Sequence, residues 1–224
     1  LNAEIDFTNQ KVARLVSALN TLKKEKDRTY SSDDWFEWSE GRLSLGKKSA
    51  KSGSSRDIQS YGISLGADKI KKDDRDTMYG YVFQYGNDNV DIGGEGTKLN
   101  TDSYSLALYG TKISNNEIFT DGVVGLSLLH VDHKRVINGN TLKGNREGQQ
   151  IYGSINFGKR LHDEKFNYNP GIKIDLGYTQ LKAFREKTTL GNSLSDALIY
   201  KDQNIKSALA TIGVLFDTTN QQDE

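Results

Sequence analysis

The stretch Asp102-Ser-Tyr-Ser-Leu-Ala-Leu-Tyr-Gly110 decides the fold class, because its side chains change in character at every second residue. Successive side chains of a β-strand point to opposite faces of a sheet, so this stretch has two unlike faces. One face carries Tyr104, Leu106 and Leu108, and the other carries Ser103, Ser105 and Ala107. The same alternation recurs in most later segments, which predicts a large antiparallel sheet whose small, polar face encloses something.

The composition of the chain excludes several classes of protein. Its 224 residues contain 30 Lys and Arg against 30 Asp and Glu, so no basic surplus indicates a nucleic-acid partner. The absence of cysteine excludes disulfide scaffolds and thiolate metal sites. No run approaches the roughly 20 apolar residues of a transmembrane helix. If the protein spans a membrane, it therefore does so as a β-barrel.

The first 34 residues follow a helical pattern. Apolar residues recur there at steps of three and four, at Val12, Leu15, Val16, Leu19 and Leu22. This spacing predicts an amphipathic helix, which a polar connector follows. This pattern fits a helix that lies on a core as well as one that pairs in a coiled coil. The chain starts at Leu1 without a signal peptide, so we expect it to be a processed piece of a longer protein.

From Trp35 onward the pattern has a period of two residues. Trp35 and Trp38 lie near the start of the first strand, where they suit either an interfacial aromatic belt or an ordinary core. The alternation predicts eight strands, at residues 35–46, 58–70, 77–87, 102–110, 117–135, 149–161, 166–181 and 205–216.

The connections between these strands alternate in length. Long polar segments at 47–57, 88–101, 136–148 and 185–204 alternate with short ones at 71–76, 114–116 and 162–165. Long loops at one rim and tight turns at the other are typical of an outer-membrane barrel. A soluble sandwich has little reason to sort its loops in this way. A propeller would need a repeat of about 40 to 50 residues, which the chain lacks.

Three segments, taken in order, resemble the opening of the autotransporter β-domain, the translocator of type V secretion. They are Tyr61-Gly-Ile-Ser-Leu-Gly-Ala-Asp68, Gly80-Tyr-Val-Phe-Gln-Tyr-Gly86 and Asp102 to Gly110. Asn169 to Tyr178 and the strand around Gly213 are similar to later parts of the family, so the match covers residues 35–216.

The resemblance implies an all-β, antiparallel, up-and-down transmembrane barrel in the Gram-negative outer membrane. It also implies twelve strands, an N-terminal helix threaded through the pore, and a covalently linked passenger domain upstream. The expected partners are therefore outer-membrane lipid, the passenger and the barrel assembly machinery, and nucleic acid is not among them.

The sequence departs from the family pattern in two respects. The family barrel normally ends with an aromatic residue on its last strand, whereas this chain ends in Asn220-Gln-Gln-Asp-Glu224. About eight strands are visible, and an eight-stranded barrel is just filled by its own side chains, which leaves no room for a helix. We therefore expect residues 1–34 to be the pore helix and linker, and residues 35–224 to be a partial barrel without its last strands.

The alternation also assigns side chains to the two sides of the expected barrel. The residues expected to face lipid are Tyr61, Ile63, Leu65, Tyr79, Tyr81, Phe83, Tyr104, Leu106, Leu108, Ile172, Ile174 and Leu176. The residues expected to face the lumen are Gly62, Ser64, Gly66, Gln84, Ser103, Ser105, Asn156, Lys173 and Asp175.

No motif indicates an enzyme, a cofactor or a metal site. His130 and His133 are three residues apart on a strand, so they point to opposite faces and cannot bind one metal ion. No Gly-x-Ser-x-Gly nucleophile elbow is present. Some autotransporters cleave their own linker with an asparagine of the pore helix. Asn20 is followed here by Thr21 rather than by a second asparagine, so we do not expect self-cleavage.

The predicted function is that of an outer-membrane translocator and anchor, which brings an N-terminal passenger domain to the cell surface. Two alternatives stay open at this point. One is a soluble or surface-attached β-rich binding domain, in which the aromatic face is a core and the long loops contact a ligand. The other is a simple porin-like channel.

Overall fold

The computed structural model describes residues 35–48, 55–71, 74–93, 96–114, 116–137, 139–162, 167–188 and 197–217. The helix predicted in residues 1–34 lies outside the described residues. Among the residues that are described, no helix is long and apolar enough to cross a membrane. The strands are β1 (Phe36–Lys48), β2 (Arg56–Lys71), β3 (Asp74–Ile92), β4 (Thr97–Ile113), β5 (Ile118–Ile137), β6 (Asn140–Lys159), β7 (Leu161–His162), β8 (Asn167–Leu181), β9 (Phe184–Arg185), β10 (Lys187–Thr188), β11 (Ile199–Tyr200) and β12 (Gln203–Asp217).

Eight long strands form one antiparallel sheet in the order β1-β2-β3-β4-β5-β6-β8-β12. Each long strand pairs with the next one along the chain, which is an up-and-down meander. The short strands β7 and β10 extend the ladders of β8 and β6, and β9 pairs with β11 in a small separate sheet. The all-β antiparallel prediction is confirmed. Within the described residues β1 and β12 form the two edges, so the sheet is not closed into a barrel.

Several strands extend beyond their predicted bounds into segments predicted as loops. Residues 88–101 are largely paired, because β3 and β4 stay in register as far as Ile92 and Thr97. Residues 136–137 and 140–148 are likewise part of the β5–β6 ladder. The prediction of long loops at these two places is therefore wrong. In these strand ends the apolar residues Val90, Leu99 and Leu142 share a face with Ser105 instead of with Leu106, so the alternation changes phase and does not continue the predicted strands.

Positive φ angles mark the tight turns at the ends of these two hairpins. The glycines that adopt them are Gly93 (68°), Gly96 (83°) and Gly139 (76°). Glycine has no Cβ and adopts this conformation without steric cost, which allows the strands to reverse direction within a few residues. The β3–β4 and β5–β6 connections are thus long paired hairpins rather than long loops.

A row of alternating large and small side chains crosses the face that bears Ser105 and Ala107, here called the inner face. The register places its members side by side on successive strands from β1 to β8: Trp38, Gly66, Val82, Ala107, Gly125, Tyr152 and Gly177. The rings of Trp38 and Tyr152 lie over the neighbouring glycines Gly66 and Gly125. The small residues in these strands therefore make room for aromatic rings of the next strand.

We expect Gly66→Ala to destabilise the sheet. An added Cβ would collide with the Trp38 ring and lie 2.8 Å from the backbone carbonyl oxygen of Tyr81. Overpacking of this kind costs about 1–3 kcal/mol. Samples in detergent are incubated at increasing temperatures and run on a gel without further heating. The temperature at which half of the folded form is lost should be lower for this variant than for wild type. Gly41→Ala on β1 is the matched control, because nothing lies within 4 Å of a Cβ added there, and equal midpoints for both variants would contradict this packing.

Candidate functional site

The face opposite the inner face, here called the outer face, presents a continuous band of exposed apolar side chains. All twelve side chains predicted to face lipid lie on it, with exposed fractions from 40% for Ile174 to 61% for Leu108. Monomeric soluble proteins rarely expose a contiguous apolar surface of this extent. The band therefore requires an apolar environment, although the contact of individual residues with lipid stays a prediction.

The apolar band crosses the strands obliquely. Ile63 lies in the middle of the band on β2. Following direct cross-strand partners from one strand to the next leads from Ile63 to Asn204 on β12. The outward apolar side chains of β12 instead run from Ala208 to Val214, and their centre lies about seven residues further along the strand. At about 3.3 Å per residue and about 4.8 Å between strands, this shift over six strand steps corresponds to a tilt of about 40°. Transmembrane barrel strands are tilted by about 35–45°.

Aromatic rings border the band on both sides. Towards the long hairpins, the ring centroids of Tyr61 and Tyr85 are 6.5 Å apart, and those of Tyr85 and Tyr104 are 5.2 Å apart. Towards the tight turns, the Trp35 ring meets the edge of the Tyr79 ring at 6.0 Å. Outer-membrane barrels have such aromatic girdles at both membrane interfaces. Of the two tryptophans, only Trp35 belongs to a girdle.

The inner face carries all nine side chains predicted to face the lumen, and none of them is exposed. Five are small, namely Gly62, Ser64, Gly66, Ser103 and Ser105, and they lie on β2 and β4. The remaining four are Gln84, Asn156, Lys173 and Asp175, on β3, β6 and β8. The structure therefore places the two predicted sets on opposite faces of one sheet, while their exposure to a pore stays a prediction.

Polar groups of the inner face are paired with one another. The hydroxyls of Ser105 and Ser127, on adjacent strands, are 2.7 Å apart. The Nζ of Lys173 lies 3.1 Å from a carboxylate oxygen of Asp175, and the Asp175 side chain is almost fully buried. Charge buried without a partner is costly, so this pairing makes the inner position of both residues tolerable.

Trp38 belongs to the inner face, where it joins a polar chain that the sequence did not reveal. Its Nε1 donates a hydrogen bond of 2.9 Å to the Tyr109 hydroxyl, which donates at 2.9 Å to the carboxylate of Asp68. A second group centres on buried Asp121, which accepts from the Thr111 hydroxyl and from the Asn156 amide. Extending the alternation of 103–107 by two residues would have placed Tyr109 on this face.

Part of the chain between β8 and β12 runs beside the end of β6, and the Glu186 side chain reaches over the inner face to β5. Residues 184–188 and 198–200, here called the docked segment, are held by Glu186, whose side chain is fully buried. The Glu186 carboxylate accepts two hydrogen bonds from the Arg135 guanidinium, at 3.0 and 2.6 Å, and one from the Leu198 amide at 2.9 Å. A bidentate arginine–carboxylate pair is a strong and directional contact.

Aromatic rings close over this ion pair. The rings of Phe184 and Tyr200 stack with centroids 4.5 Å apart, and both meet the edge of the His133 imidazole at about 6 Å. The Arg146 guanidinium lies 5.5 Å from the centre of the Phe184 ring. Residues 185–204 were predicted as a loop, and nothing in their sequence pattern indicates that Glu186 enters a buried cluster.

The ionisable groups of this cluster titrate away from their ordinary values. Burial alone would raise the pKa of Glu186, but the hydrogen bonds from Arg135 and Leu198 and the nearby positive charges outweigh it and lower this pKa. Burial is also the main cause that lowers the pKa of His133, and the charges of Arg135 and Arg146 act in the same direction, against the attraction of Glu186. The docked arrangement therefore favours ionised Glu186 and neutral His133.

The histidines singled out from the sequence lie apart. His130 is on the outer face, 3.5 Å from Asp132, whereas His133 is on the inner face beside Glu186. Across the part of the chain that the structure describes, no group of three or more His, Asp or Glu side chains is arranged to hold a metal ion.

Comparison with known proteins identifies the family. The family model for the autotransporter β-domain matches residues 35–224. The structure is similar to the translocator domain of autotransporter NalP from Neisseria meningitidis, with 13% identity and a TM-score of 0.66, over 93% of this chain and 70% of that one. It is also similar to the β domain of the Bordetella autotransporter BrkA, with 13% identity and a TM-score of 0.54, over 85% of this chain and 88% of that one.

A search of curated proteins found no similar sequence. At 13% identity the two structural relatives establish the fold alone, and the family model, which spans most of the chain, establishes the family. The oblique apolar band and the polar inner face agree with that assignment. The chain therefore belongs to the autotransporter β-domain family and is an outer-membrane translocator for a passenger domain.

Proposed function

We propose that the sheet lies in the outer membrane of a Gram-negative bacterium, with its outer face in lipid and its inner face towards a pore that serves an upstream passenger. The observation that carries this proposal is the oblique apolar band between two aromatic girdles. The hydrocarbon layer is flat and the strands are tilted, so the apolar segment must begin further along each successive strand. The band shifts in this way from Ile63 on β2 to Val214 on β12.

The energetics of the outer face favour this placement over a soluble β-rich domain. Burying a large apolar side chain contributes about 1.5–3 kcal/mol relative to exposing it to water. A soluble domain would forgo that gain for every side chain of the band. Lipid supplies it without any partner protein, and the paired backbone of the sheet leaves few polar groups exposed to hydrocarbon.

The inner face supports the proposal that the sheet lines a pore and that residues 1–34 occupy it. Its small side chains on β2 and β4 leave space beside the sheet, which an inserted segment would fill. We therefore propose that residues 1–34 form the pore helix and the linker to a covalently attached passenger. These residues lie outside the described part of the structure, so the support comes from the lining that would face them and from their sequence pattern.

The two open edges support closure by further strands. Among the described residues, β1 and β12 each have a neighbouring strand on one side alone. A backbone group left without a hydrogen bond in hydrocarbon would cost several kcal/mol. We propose that additional strands pair with these edges to complete the barrel, and that the barrel assembly machinery inserts it. A transport and anchor domain needs no catalytic group, and we propose that this domain is not an enzyme.

Fractionation tests the proposed location. The full chain, expressed behind a secretion signal, should sediment with the outer membrane and require detergent for release. Leu106→Arg should reduce the folded, membrane-inserted fraction, because an arginine on the lipid face near mid-membrane costs about 2–4 kcal/mol. Gln59→Arg, on the outer face beyond the band, should behave like wild type. Recovery of the wild-type chain as a stable monomer without detergent would overturn the proposal.

Deletion of residues 9–24 tests the pore segment. If the segment occupies the lumen, its removal should raise the single-channel conductance of the full chain in planar bilayers. A scrambled insert of the same length and composition is the control, because it retains the chain length but not the apolar stripe. Unchanged conductance after deletion would count against a threaded helix.

Hydrogen exchange tests the docked segment. Glu186→Gln should speed amide exchange in residues 184–188 and 198–200, because breaking a buried ion pair costs about 3 kcal/mol or more. Glu147→Gln is the control, since Glu147 pairs with Lys182 in solvent, where a pair contributes about 0.5 kcal/mol. Exchange no faster in Glu186→Gln than in Glu147→Gln would contradict the docking described.

Acid should loosen the docked segment of the wild type in the same experiment. The pKa of Glu186 is lowered, so its contribution is complete above pH about 4.5 and is lost as the carboxylate protonates below that value. The pKa of His133 is lowered as well, so protonation of the displaced imidazole below pH about 6.5 opposes docking. Exchange, relative to the intrinsic rate, should therefore become faster as the pH falls below about 6.5, through His133, and faster again below about 4.5, through Glu186.

A further inference from the structure

A row of positive charges crosses the outer face above the apolar band. The register places Lys98 on β4, Lys134 on β5, Lys143 on β6 and Lys187 on β10 directly beside one another. Lys98, Lys134 and Lys143 have the same parity as the band residues on their strands, and Lys187 is the direct partner of Lys143, so the row belongs to the outer face. The sequence does not reveal the row, because neighbouring members are separated by up to 44 residues along the chain.

Little negative charge neutralises this row. Lys98 lies 2.9 Å from Asp91, and among the described residues no other carboxylate lies within ion-pair distance of it. In the same part of the chain, no carboxylate lies within ion-pair distance of Lys134, Lys143 or Lys187. Like charges directly opposite each other on adjacent strands destabilise a sheet, so a bound anion would stabilise this one.

The row lines an open groove. The groove has a volume of about 560 Å³ and is lined by the four lysines together with Arg185 and Asp132. These five cations face two carboxylates, Asp132 in the groove and Asp91 beside Lys98, which leaves a local positive excess in a chain with a formal net charge of zero. Clusters of four or more Lys and Arg at a membrane surface bind anionic lipid head groups.

The height of the row above the membrane selects the kind of anion. Lys98 is six residues beyond Tyr104, the outermost aromatic residue of the band on β4. Six residues at about 3.3 Å each, on a strand tilted by about 40°, place the row about 15 Å above the hydrocarbon edge. The head-group layer of a phospholipid bilayer is only about 5–8 Å thick on each side. A phospholipid phosphate therefore lies too low for the row.

We propose that Lys98, Lys134, Lys143 and Lys187 form a binding site for a phosphorylated glycolipid of the outer leaflet. The sugars of such a lipid extend beyond the phospholipid head-group level and carry phosphate and carboxylate groups to the height of the row. The site would fix the β3–β6 wall of the sheet to its lipid surroundings. This inference rests on the proposed membrane placement, with the long hairpins on the outer side.

Binding by the purified full chain in detergent, with a chelator present to remove bridging divalent cations, tests the site. The probe is a rough lipopolysaccharide whose inner-core sugars retain their phosphates. Lys134→Gln with Lys143→Gln should weaken its binding about 30-fold, because each lysine near a membrane surface contributes about 1 kcal/mol. The matched control is Lys159→Gln with Lys206→Gln, which removes two exposed lysines elsewhere on the sheet and should bind as wild type does.

Three further comparisons decide the chemistry. Wild type should bind the chemically dephosphorylated glycolipid and phosphatidylglycerol weakly, and inorganic phosphate at matched phosphate concentration should not displace the intact glycolipid. Equal loss of binding in both double variants, equal binding of the dephosphorylated glycolipid, or displacement by inorganic phosphate would each overturn the proposal.

Fractionation of the same variants keeps the two proposals apart. If the chain is absent from the outer membrane, the proposed location fails. If Lys134→Gln with Lys143→Gln inserts normally and binds the glycolipid as wild type does, the lipid site alone is wrong. Loss of passenger display by that variant with unchanged glycolipid binding would assign the row to an acidic polypeptide instead and would likewise overturn the lipid site.

Discussion

Cross-strand hydrogen bonding is the constraint on which every other feature of this structure depends. In hydrocarbon each backbone donor and acceptor must find a partner within the protein, which only a continuous ladder or a helix achieves. The antiparallel pairing from β1 to β12 supplies that ladder and at the same time sets the register. The register then decides which side chains meet, since direct partners share a face. The apolar band, the inner row of rings and glycines, and the lysine row are three consequences of one set of pairings.

The two faces of the sheet are subject to different physical constraints. The outer face needs apolar area but no specific contacts, because lipid conforms to whatever shape it meets, and its side chains accordingly make few polar interactions. The inner face must accommodate groups that cannot enter lipid, so it pairs Lys173 with Asp175 and links Trp38 through Tyr109 to Asp68. Beyond the band the outer face is polar, whereas the inner face buries Val131 and Leu142. Glu186 and its partners hold a further segment in place there.

Sequence reasoning succeeded where the alternation keeps its phase and failed where the phase changes. Alternation located all eight long strands and separated Leu106 from Ser105 correctly. It missed the paired extensions at 88–92, 97–101, 136–137 and 140–148, because apolar residues such as Leu99 and Leu142 lie there on the inner face instead of the outer face. Alternation did not decide whether Trp38 belongs to an interfacial aromatic belt or to a core, because tryptophan suits both environments. Glu186 was out of reach for another reason: a glutamate in a polar segment looks solvated until its arginine, 51 residues away, is placed beside it.

The sequence by itself determined the class of fold and the identity of the two faces, because alternation with a period of two is a local property that each strand expresses alone. It also carried the family resemblance through the order and spacing of its motifs. Only the tertiary structure decided the strand tilt, the pairing of charges on the inner face, the docking of Glu186 onto Arg135 and the alignment of four lysines. Each of these depends on the register between strands, a relation between distant residues that no single stretch of the chain contains.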